Sequence, residues 1–169
     1  MLAANIRNAV EQFHGDYDFL PSPASAAKGI DCESDTSAEE GLIMILKGMD
    51  ITQNSRAADY LGGIKEASDE KGKRLSGLVR FVGEDEKSAA VVDPWGNYYR
   101  VLIDLDMDKT VLNPMEEALI DGAMPLLFET IIVWSSGPDG DANTWEDNVI
   151  SWDPEKSRAL GKPEAARSR

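Results

Sequence analysis

Oxygen-bearing side chains are concentrated in residues 139–147, which read Asp-Gly-Asp-Ala-Asn-Thr-Trp-Glu-Asp. The stretch has no hydrophobic periodicity, and hard oxygen donors at this density are typical of a calcium loop. Calcium takes about six to eight oxygens, so backbone carbonyls such as that of Ser136 would have to contribute. The side chains on offer are those of Asp139, Asp141, Asn143, Thr144, Asp147 and Asn148, with Glu146 as a further carboxylate.

An EF-hand can be tested against this stretch residue by residue. Asp139, Asp141 and Asn143 fit the first, third and fifth positions of that motif. Thr144 stands at the obligatory glycine and Ile150 at the bidentate glutamate, so the EF-hand is excluded. A calcium loop of another kind and a polar, Asx-rich turn without metal both remain open. Without a cation, at least three close carboxylates would repel one another, and the loop should be disordered.

A second run of carboxylates lies upstream. Asp104, Asp106 and Asp108 alternate with apolar residues, so a β-strand would project all three to one side. A second cation site is one interpretation. The favoured interpretation is a solvated strand edge that charge protects from aggregation.

Catalytic groups are scarce in this chain. His14 is the single histidine and Cys32 the single cysteine, which excludes an internal disulfide and the usual zinc ligand sets. His14 closes a predicted helix, where a capping cation is common. Cys32 lies among acidic residues and lacks the positive surroundings that generate a thiolate. No nucleophilic triad can be assembled, and no spacing selects a pair of carboxylates, so we expect no enzyme.

The length and composition of the chain restrict which other classes of function are possible. The chain has 169 residues, 42% of them hydrophobic, which suits one compact domain over residues 1–153. Residues 154–169 are charged, small and aperiodic, and predict a flexible tail. A formal net charge of -14 opposes binding to nucleic acid or to an anionic membrane surface. No apolar run reaches the roughly 18 residues of a membrane span, and no signal peptide opens the chain.

Helical patterns occupy the first part of the chain. Ile6, Val10, Phe13 and Tyr17 share one face of a helix over Leu2–Tyr17. Residues 20–35 are rich in Pro, Ser, Ala and Gly and predict a surface loop. A second helix is expected from residue 35 or 37, because Ser37 and Glu40 match a capping box. Its buried stripe would be Leu42, Ile45, Leu46 and Met49. A shorter helical piece is expected over residues 56–61.

Strand patterns follow the helices. Residues 78–82, 89–92, 98–105 and 128–134 alternate or run continuously in β-favouring residues. Helices first and strands second favour an α+β domain with an antiparallel sheet. Residues 93–97, Asp-Pro-Trp-Gly-Asn, place proline second and glycine fourth, as in a type I turn, and predict a hairpin between their neighbouring strands.

Several of these pieces occur in a particular order along residues 3–152. An Ala-rich helix leads into Tyr-Asp-Phe-Leu-Pro at 17–21, Glu-Gly-Leu follows at 40–42, and Asp-Pro-Trp-Gly-Asn-Tyr-Tyr follows at 93–99. Trp-Ser-Ser-Gly-Pro-Asp-Gly then begins at residue 134, and Asp-Asn-Val-Ile-Ser-Trp ends at residue 152. In these motifs the chain resembles the soluble part of the major (G-type) pseudopilin of type II secretion, a relative of the type IV pilins.

The resemblance implies a pilin-like fold, in which an N-terminal amphipathic helix packs on an antiparallel β-sheet and calcium orders the C-terminal loop. Residues 1–17 would be the C-terminal half of the long pilin helix. The resemblance also implies Asp139 and Asp147 as side-chain ligands of Ca²⁺ and Ser136 as a carbonyl donor. Asn148, a further candidate ligand, stands where many relatives have a second aspartate, which lowers the negative charge of the site by one.

The function implied by the resemblance is structural. The subunit would assemble with copies of itself and with minor pseudopilins into a filament that helps to export folded proteins. An inner-membrane assembly platform would add the subunits. The globular domain would lie in the periplasm, anchored to the inner membrane by an apolar N-terminal segment that this sequence lacks.

Two alternatives remain from the sequence. A type IV pilin shares the plan of a helix on a sheet but usually closes its C-terminal region with a disulfide, which one cysteine cannot form. A soluble calcium-dependent binding module would instead recognise a peptide or glycan through exposed tryptophans, for which Trp95, Trp145 and Trp152 are candidates. An apolar segment of about 20 residues upstream in the gene product would separate the filament subunit from the module.

Overall fold

The computed structural model describes residues 2–27, 30–67, 76–82, 87–115 and 125–153. The predicted flexible tail, residues 154–169, lies outside this part of the chain. Within it, no helix combines the length and the hydropathy that crossing a membrane requires.

The first element, α1, spans Leu2–Tyr17, as its periodicity predicts. Its buried face carries Ala3, Ile6, Ala9, Val10 and Phe13, which recur at the three- and four-residue spacing that keeps side chains on one side of a helix. This face packs on β7, the strand Ile131–Ser135. Helix α1 is therefore held by burial of its apolar stripe against the sheet.

The main sheet has four strands in the order β1-β4-β7-β8, and all neighbours are antiparallel. These strands are β1 (Cys32–Asp35), β4 (Arg100–Ile103), β7 and β8 (Val149–Ile150). All of β7 is buried, because its side chains alternate between two cores. Ile131 and Val133 pack with α1, whereas Ile132 and Trp134 pack on the opposite face.

The remaining elements extend this framework. Helix α2 spans Leu42–Leu46, and its apolar side chains join the core beneath α1. Two small antiparallel sheets are formed by β2 (Gly77–Val82) with β3 (Lys87–Val92) and by β5 (Val111–Leu112) with β6 (Leu126–Leu127). The expected α+β class, with an N-terminal helix and an antiparallel sheet, is confirmed in these elements.

The start of the second helix was predicted wrongly. Helix α2 begins at Leu42 after Gly41, and no side chain caps it. The Glu40 carboxylate instead accepts hydrogen bonds from the Ser34 hydroxyl, at 2.8 Å, and from the Ser25 backbone N–H, at 3.1 Å. Glu40 therefore joins the loop to β1. The expected stripe is buried at Leu42, Ile45 and Leu46, but Met49 is exposed.

Three other predictions of local structure were wrong in whole or in part. Residues 56–61 contain no helix and form an irregular segment with turns at its two ends. Asn54 holds this segment by donating to the carbonyl oxygens of Ile45 and Ala58. The predicted loop over 20–35 contains β1, whose backbone pairs with β4. The hairpin predicted around residues 93–97 is limited to one antiparallel bridge between Val92 and Tyr98. Beyond this bridge the two strands diverge, because β3 pairs with β2 whereas β4 lies between β1 and β7. The turn itself is present: the Gly96 N–H donates to the Asp93 carbonyl oxygen at 3.1 Å.

Candidate metal-binding loop

The C-terminal loop, residues 136–148, connects β7 to β8 and is closed at its base by strand pairing. Trp134 pairs with Ile150, and Ser135 pairs with Val149. Beyond β8, the Ser151 N–H donates to the Val133 carbonyl oxygen at 2.9 Å. The ends of the loop are therefore fixed to the central strand of the sheet, although β8 itself is only two residues long.

Two predicted ligands, Asp147 and Asn148, carry oxygens that lack a partner. Within the described part of the chain, Asp147 Oδ1 and Asn148 Oδ1 are buried and accept no hydrogen bond. The Asn148 side-chain N–H₂ donates to the Ala142 carbonyl oxygen at 3.0 Å, which fixes the orientation of the amide across the loop. A buried oxygen without a donor costs about 1–3 kcal/mol. Because no hydrogen-bond donor reaches these two oxygens, a cation could take that place and coordinate both.

Asp147 lies directly against Gly137, the residue after Ser136. A Cβ atom at Gly137 would stand 2.5 Å from the Asp147 carbonyl oxygen and 3.1 Å from Asp147 Cγ. Gly137 has φ +63°, a conformation that also favours glycine. Ser136 itself is buried. The structure thus brings the two ends of the loop together, with the Ser136–Gly137 backbone beside the carboxyl group of Asp147.

Asp139, the other predicted carboxylate ligand, is exposed and hydrogen-bonded within its own turn. One of its oxygens accepts from the Asp141 N–H at 2.8 Å, and the other accepts from the Thr144 hydroxyl. These two hydrogen bonds, that from Thr144 first, lower the pKa of Asp139 below its ordinary value. A carboxylate oxygen has a second lone pair, so these bonds leave Asp139 able to coordinate a cation.

The turn at residues 93–97 supports this loop, a role that sequence reasoning missed. Asn97 Nδ2 donates to the Gly137 carbonyl oxygen at 2.8 Å and to Asp93 Oδ2 at 3.2 Å. Asp93 is fully buried, and its other carboxylate oxygen accepts from the N–H groups of Trp95 and Asn97. The two motifs that carry the resemblance therefore touch, but nothing in their spacing along the chain indicates it.

Three tryptophans pack against one another at the base of the C-terminal loop. The rings of Trp134, Trp145 and Trp152 lie within 6.3 Å of one another, centroid to centroid. Trp152 is only 6% exposed, so its prediction as an exposed binding aromatic was wrong; its ring packs edge-on against Trp134. Trp95 and Trp145 are half-buried. Burial of these rings stabilises the loop through apolar area and aromatic packing.

The three aspartates predicted on one side of a strand lie instead in a loop. Strand β4 ends at Ile103, and the next residue, Asp104, is only 1% exposed. Its two oxygens accept the backbone N–H groups of Asp108, at 3.0 Å, and Lys109, at 2.8 Å. Asp106 and Asp108 are exposed. The predicted charged strand edge is therefore absent from residues 104–108.

Asp104 and Asp106 meet Asp31, which the sequence gave no reason to group with them. Ligand oxygens of all three lie within 4.8 Å of one another. Burial, followed by the charges of Asp106, Asp104 and Asp108, raises the pKa of Asp31 to about 6. Burial also raises the pKa of Asp104. We call Asp31, Asp104 and Asp106 the aspartate cluster.

Among the described residues, the aspartate cluster is the one such group of three or more acidic, histidine or cysteine side chains. The expectation of at least three crowded carboxylates in the C-terminal loop was therefore wrong. Asp139 and Asp141 are exposed there, and each accepts the N–H of the residue two positions on. Each of these two carboxylates is held in its own local turn.

The Cys32 thiol is unreactive in this setting. It is 2% exposed at the start of β1, and burial raises its pKa. A thiolate is correspondingly disfavoured.

No protein-family model, curated protein or solved structure matches this chain.

Proposed function

We propose that this chain is the globular part of a pseudopilin-type filament subunit, and that a calcium ion orders its C-terminal loop. The observation that carries the proposal is the pair of buried oxygens without donors, Asp147 Oδ1 and Asn148 Oδ1. They occur at the positions that the resemblance to the major pseudopilin implies for the metal. A turn that needed no ion would be expected to satisfy these oxygens internally.

The residues present fit a hard cation. Asp147 and Asn148 offer unpaired oxygens, Asp139 offers an exposed carboxylate, and the Ser136 carbonyl belongs to the segment packed against Asp147. Oxygen donors from carboxylates, amides and the backbone are those that Ca²⁺ prefers. When bound, the ion would supply positive charge that links the two ends of the loop. Because it would bind only the folded loop, it would stabilise the domain by linkage.

The role proposed for the domain is mechanical rather than catalytic. In support, α1 is a single amphipathic helix whose apolar face covers the sheet, which is the arrangement expected at the end of a longer filament helix. Copies of the chain and minor subunits would be its partners, and the inner membrane with the periplasm its location. The net charge of -14 also makes a divalent cation a favourable partner near neutral pH.

Thermal unfolding with and without calcium tests the metal site. At free Ca²⁺ about 100-fold above Kd, linkage of about 2.7 kcal/mol should raise Tm by about 5–10 °C. Asp147→Ala should abolish the shift, and Asn148→Asp should enlarge it by adding a negative ligand. The control is Asp50→Ala, since Asp50 likewise accepts an N–H two residues on, from Thr52 at 2.9 Å, but lies outside the loop. If the Tm of the wild type is the same with and without calcium, the proposed metal site is wrong.

The filament role needs a separate test in cells. The encoding gene should place an apolar segment of about 20 residues before α1. Full-length protein carrying Asp147→Ala should assemble fewer filaments and export less protein than full-length Asp50→Ala, when both are produced at the same level. A gene product without the apolar segment would favour the soluble binding module instead.

A further inference from the structure

One side chain joins α1 to Ser151, the residue that follows β8. Arg7 Nη1 donates to the Ser151 carbonyl oxygen at 3.2 Å, and Nη2 donates to Glu129 Oε2 at 2.6 Å. Its Nε donates to Glu11 Oε1 at 2.9 Å, one helical turn along α1. The Arg7 side chain is 25% exposed. The planar guanidinium is thus held by three groups at once, which a flexible ammonium cannot reproduce.

A contact at Ser151 can affect the position of β8, because Ser151 directly follows this short strand. It follows the two residues of β8, which form an edge of the sheet and begin directly after Asn148. Besides its backbone bond to Val133, Ser151 accepts the Val133 N–H on its hydroxyl oxygen at 2.8 Å. Short edge strands are marginal on their own. The position of β8 therefore depends on these few bonds, on the loop that precedes it and on the packing of Ile150 and Trp152 against the second core.

We propose that Arg7 couples the cation-bound state of the C-terminal loop to the docking of α1. Ordering of Asp147 and Asn148 fixes the start of β8, and the Ser151 carbonyl then meets Arg7. The coupling is reciprocal, so removal of the Arg7 contacts weakens cation binding, and cation binding protects α1 near Arg7. This inference rests on the proposed calcium site. In a filament subunit it would link the ion to the helix that enters the filament core.

The sign of the effect separates coupling from general electrostatics. Removing a positive charge makes an acidic molecule more negative, which should tighten Ca²⁺ binding. Coupling through Arg7 predicts the opposite. Arg80 provides the matched control, because it pairs with Glu66 at 2.8 Å, is exposed and belongs to β2 rather than to the C-terminal loop.

The test measures the Kd for Ca²⁺ by calorimetry in the wild type, Arg7→Lys, Arg7→Met, Arg80→Lys and Arg80→Met. We expect both Arg7 variants to bind about 5-fold more weakly and both Arg80 variants to bind as the wild type or more tightly. Hydrogen exchange adds a second readout: calcium should slow exchange of amides in α1 around residue 7 in the wild type and not in Arg7→Lys.

Each outcome decides a particular claim. Equal Kd values for the Arg7 and Arg80 variants overturn the coupling and leave the calcium site standing. A wild type that binds no Ca²⁺ overturns both. If Arg7→Met does not fold, Arg7→Lys decides the coupling, since it keeps the charge and the aliphatic stem.

Discussion

The two acidic loops of this protein, residues 104–110 and 136–148, both cap their own turns with exposed aspartates but differ at their buried oxygens. In the first, buried Asp104 accepts two backbone N–H groups and lies close to two other carboxyls. In the second, exposed Asp139 and Asp141 cap their own turns, while the buried oxygens of Asp147 and Asn148 have no donor within the described chain.

The contrast separates carboxylate density from the hydrogen-bond pairing of individual oxygens. The aspartate cluster is denser, but it can relieve repulsion by holding a proton, as the raised pKa of Asp31 indicates. The C-terminal loop is less dense and leaves two buried oxygens without a hydrogen bond, Asp147 Oδ1 and Asn148 Oδ1, whereas the aspartate cluster leaves one, Asp31 Oδ1. The two groups therefore differ in the number of unpaired buried oxygens as well as in the density of charge.

The largest expected effect comes from Gly137→Ala in the C-terminal loop. The positive φ and the approach of the Asp147 carbonyl oxygen to 2.5 Å of the added Cβ should together cost about 3 kcal/mol of unfolding free energy. Urea unfolding measures this cost. Gly140→Ala is the matched control, since its φ is +75° but its Cβ would approach nothing closer than 3.7 Å. It should cost only about 1 kcal/mol; equal costs would show that the contact with Asp147 does not matter.

The second prediction compares one capping carboxylate from each loop. Asp104→Ala should lower the unfolding free energy by about 2 kcal/mol, because two backbone N–H groups lose their acceptor while some repulsion with Asp31 is relieved. Asp141→Ala should cost less than about 0.5 kcal/mol, because its carboxylate is exposed and water replaces it. Similar losses at the two positions, measured by urea unfolding, would contradict the difference drawn between the loops.

The third and smallest effect is a difference in pH dependence. Because the folded-state pKa of Asp31 is raised from 3.8 to about 6, its contribution to stability is greatest below pH 3.8 and declines as the pH rises toward 6. Asp31→Asn should therefore stabilise the protein at pH 7 by roughly 1 kcal/mol, since solvent screens part of the shift. The gain should shrink toward pH 4. Urea unfolding at several pH values measures it.

Asp139 is the matching case in the C-terminal loop, because its pKa is shifted in the opposite direction to that of Asp31. Its pKa is lowered, so its contribution is present above its ordinary value of 3.8 and is lost as the pH falls through the lowered value. Asp139→Asn should therefore reduce stability slightly at pH 7 and lose this effect in acid. A gain at pH 7 from both substitutions would mean that the two loops do not differ in electrostatics.

Long periodic segments were predictable from the sequence. Helix α1 is buried on one face, and this gives its apolar residues a helical spacing along the chain. The β-favouring runs of β2, β3, β4 and β7 likewise show burial on one or two faces of a strand. Strands β1, β5, β6 and β8 have two to four residues each. Such short segments become strands only because a neighbour offers hydrogen bonds, so their local pattern carries little signal.

The candidate site was predictable only in part. Composition singled out residues 139–147 as a loop of oxygen donors, but which oxygens lack a partner depends on packing against Gly137 and Ala142. The contact of Asn97 with Gly137 and the approach of Asp31 to Asp104 join distant parts of the chain. Chain spacing cannot predict such contacts, because the sheet order that creates them is a tertiary property.

The packing of Trp134, Trp145 and Trp152 has a practical consequence. Indole rings whose centroids are separated by 6.2–6.3 Å share electronic excitation, and two of the three ring pairs meet at 67° and 89°. Trp145 belongs to the C-terminal loop, whereas Trp134 belongs to the central strand. The loop therefore carries an intrinsic optical probe: a movement of Trp145 away from the sheet changes the exciton signal in circular dichroism, with no label attached.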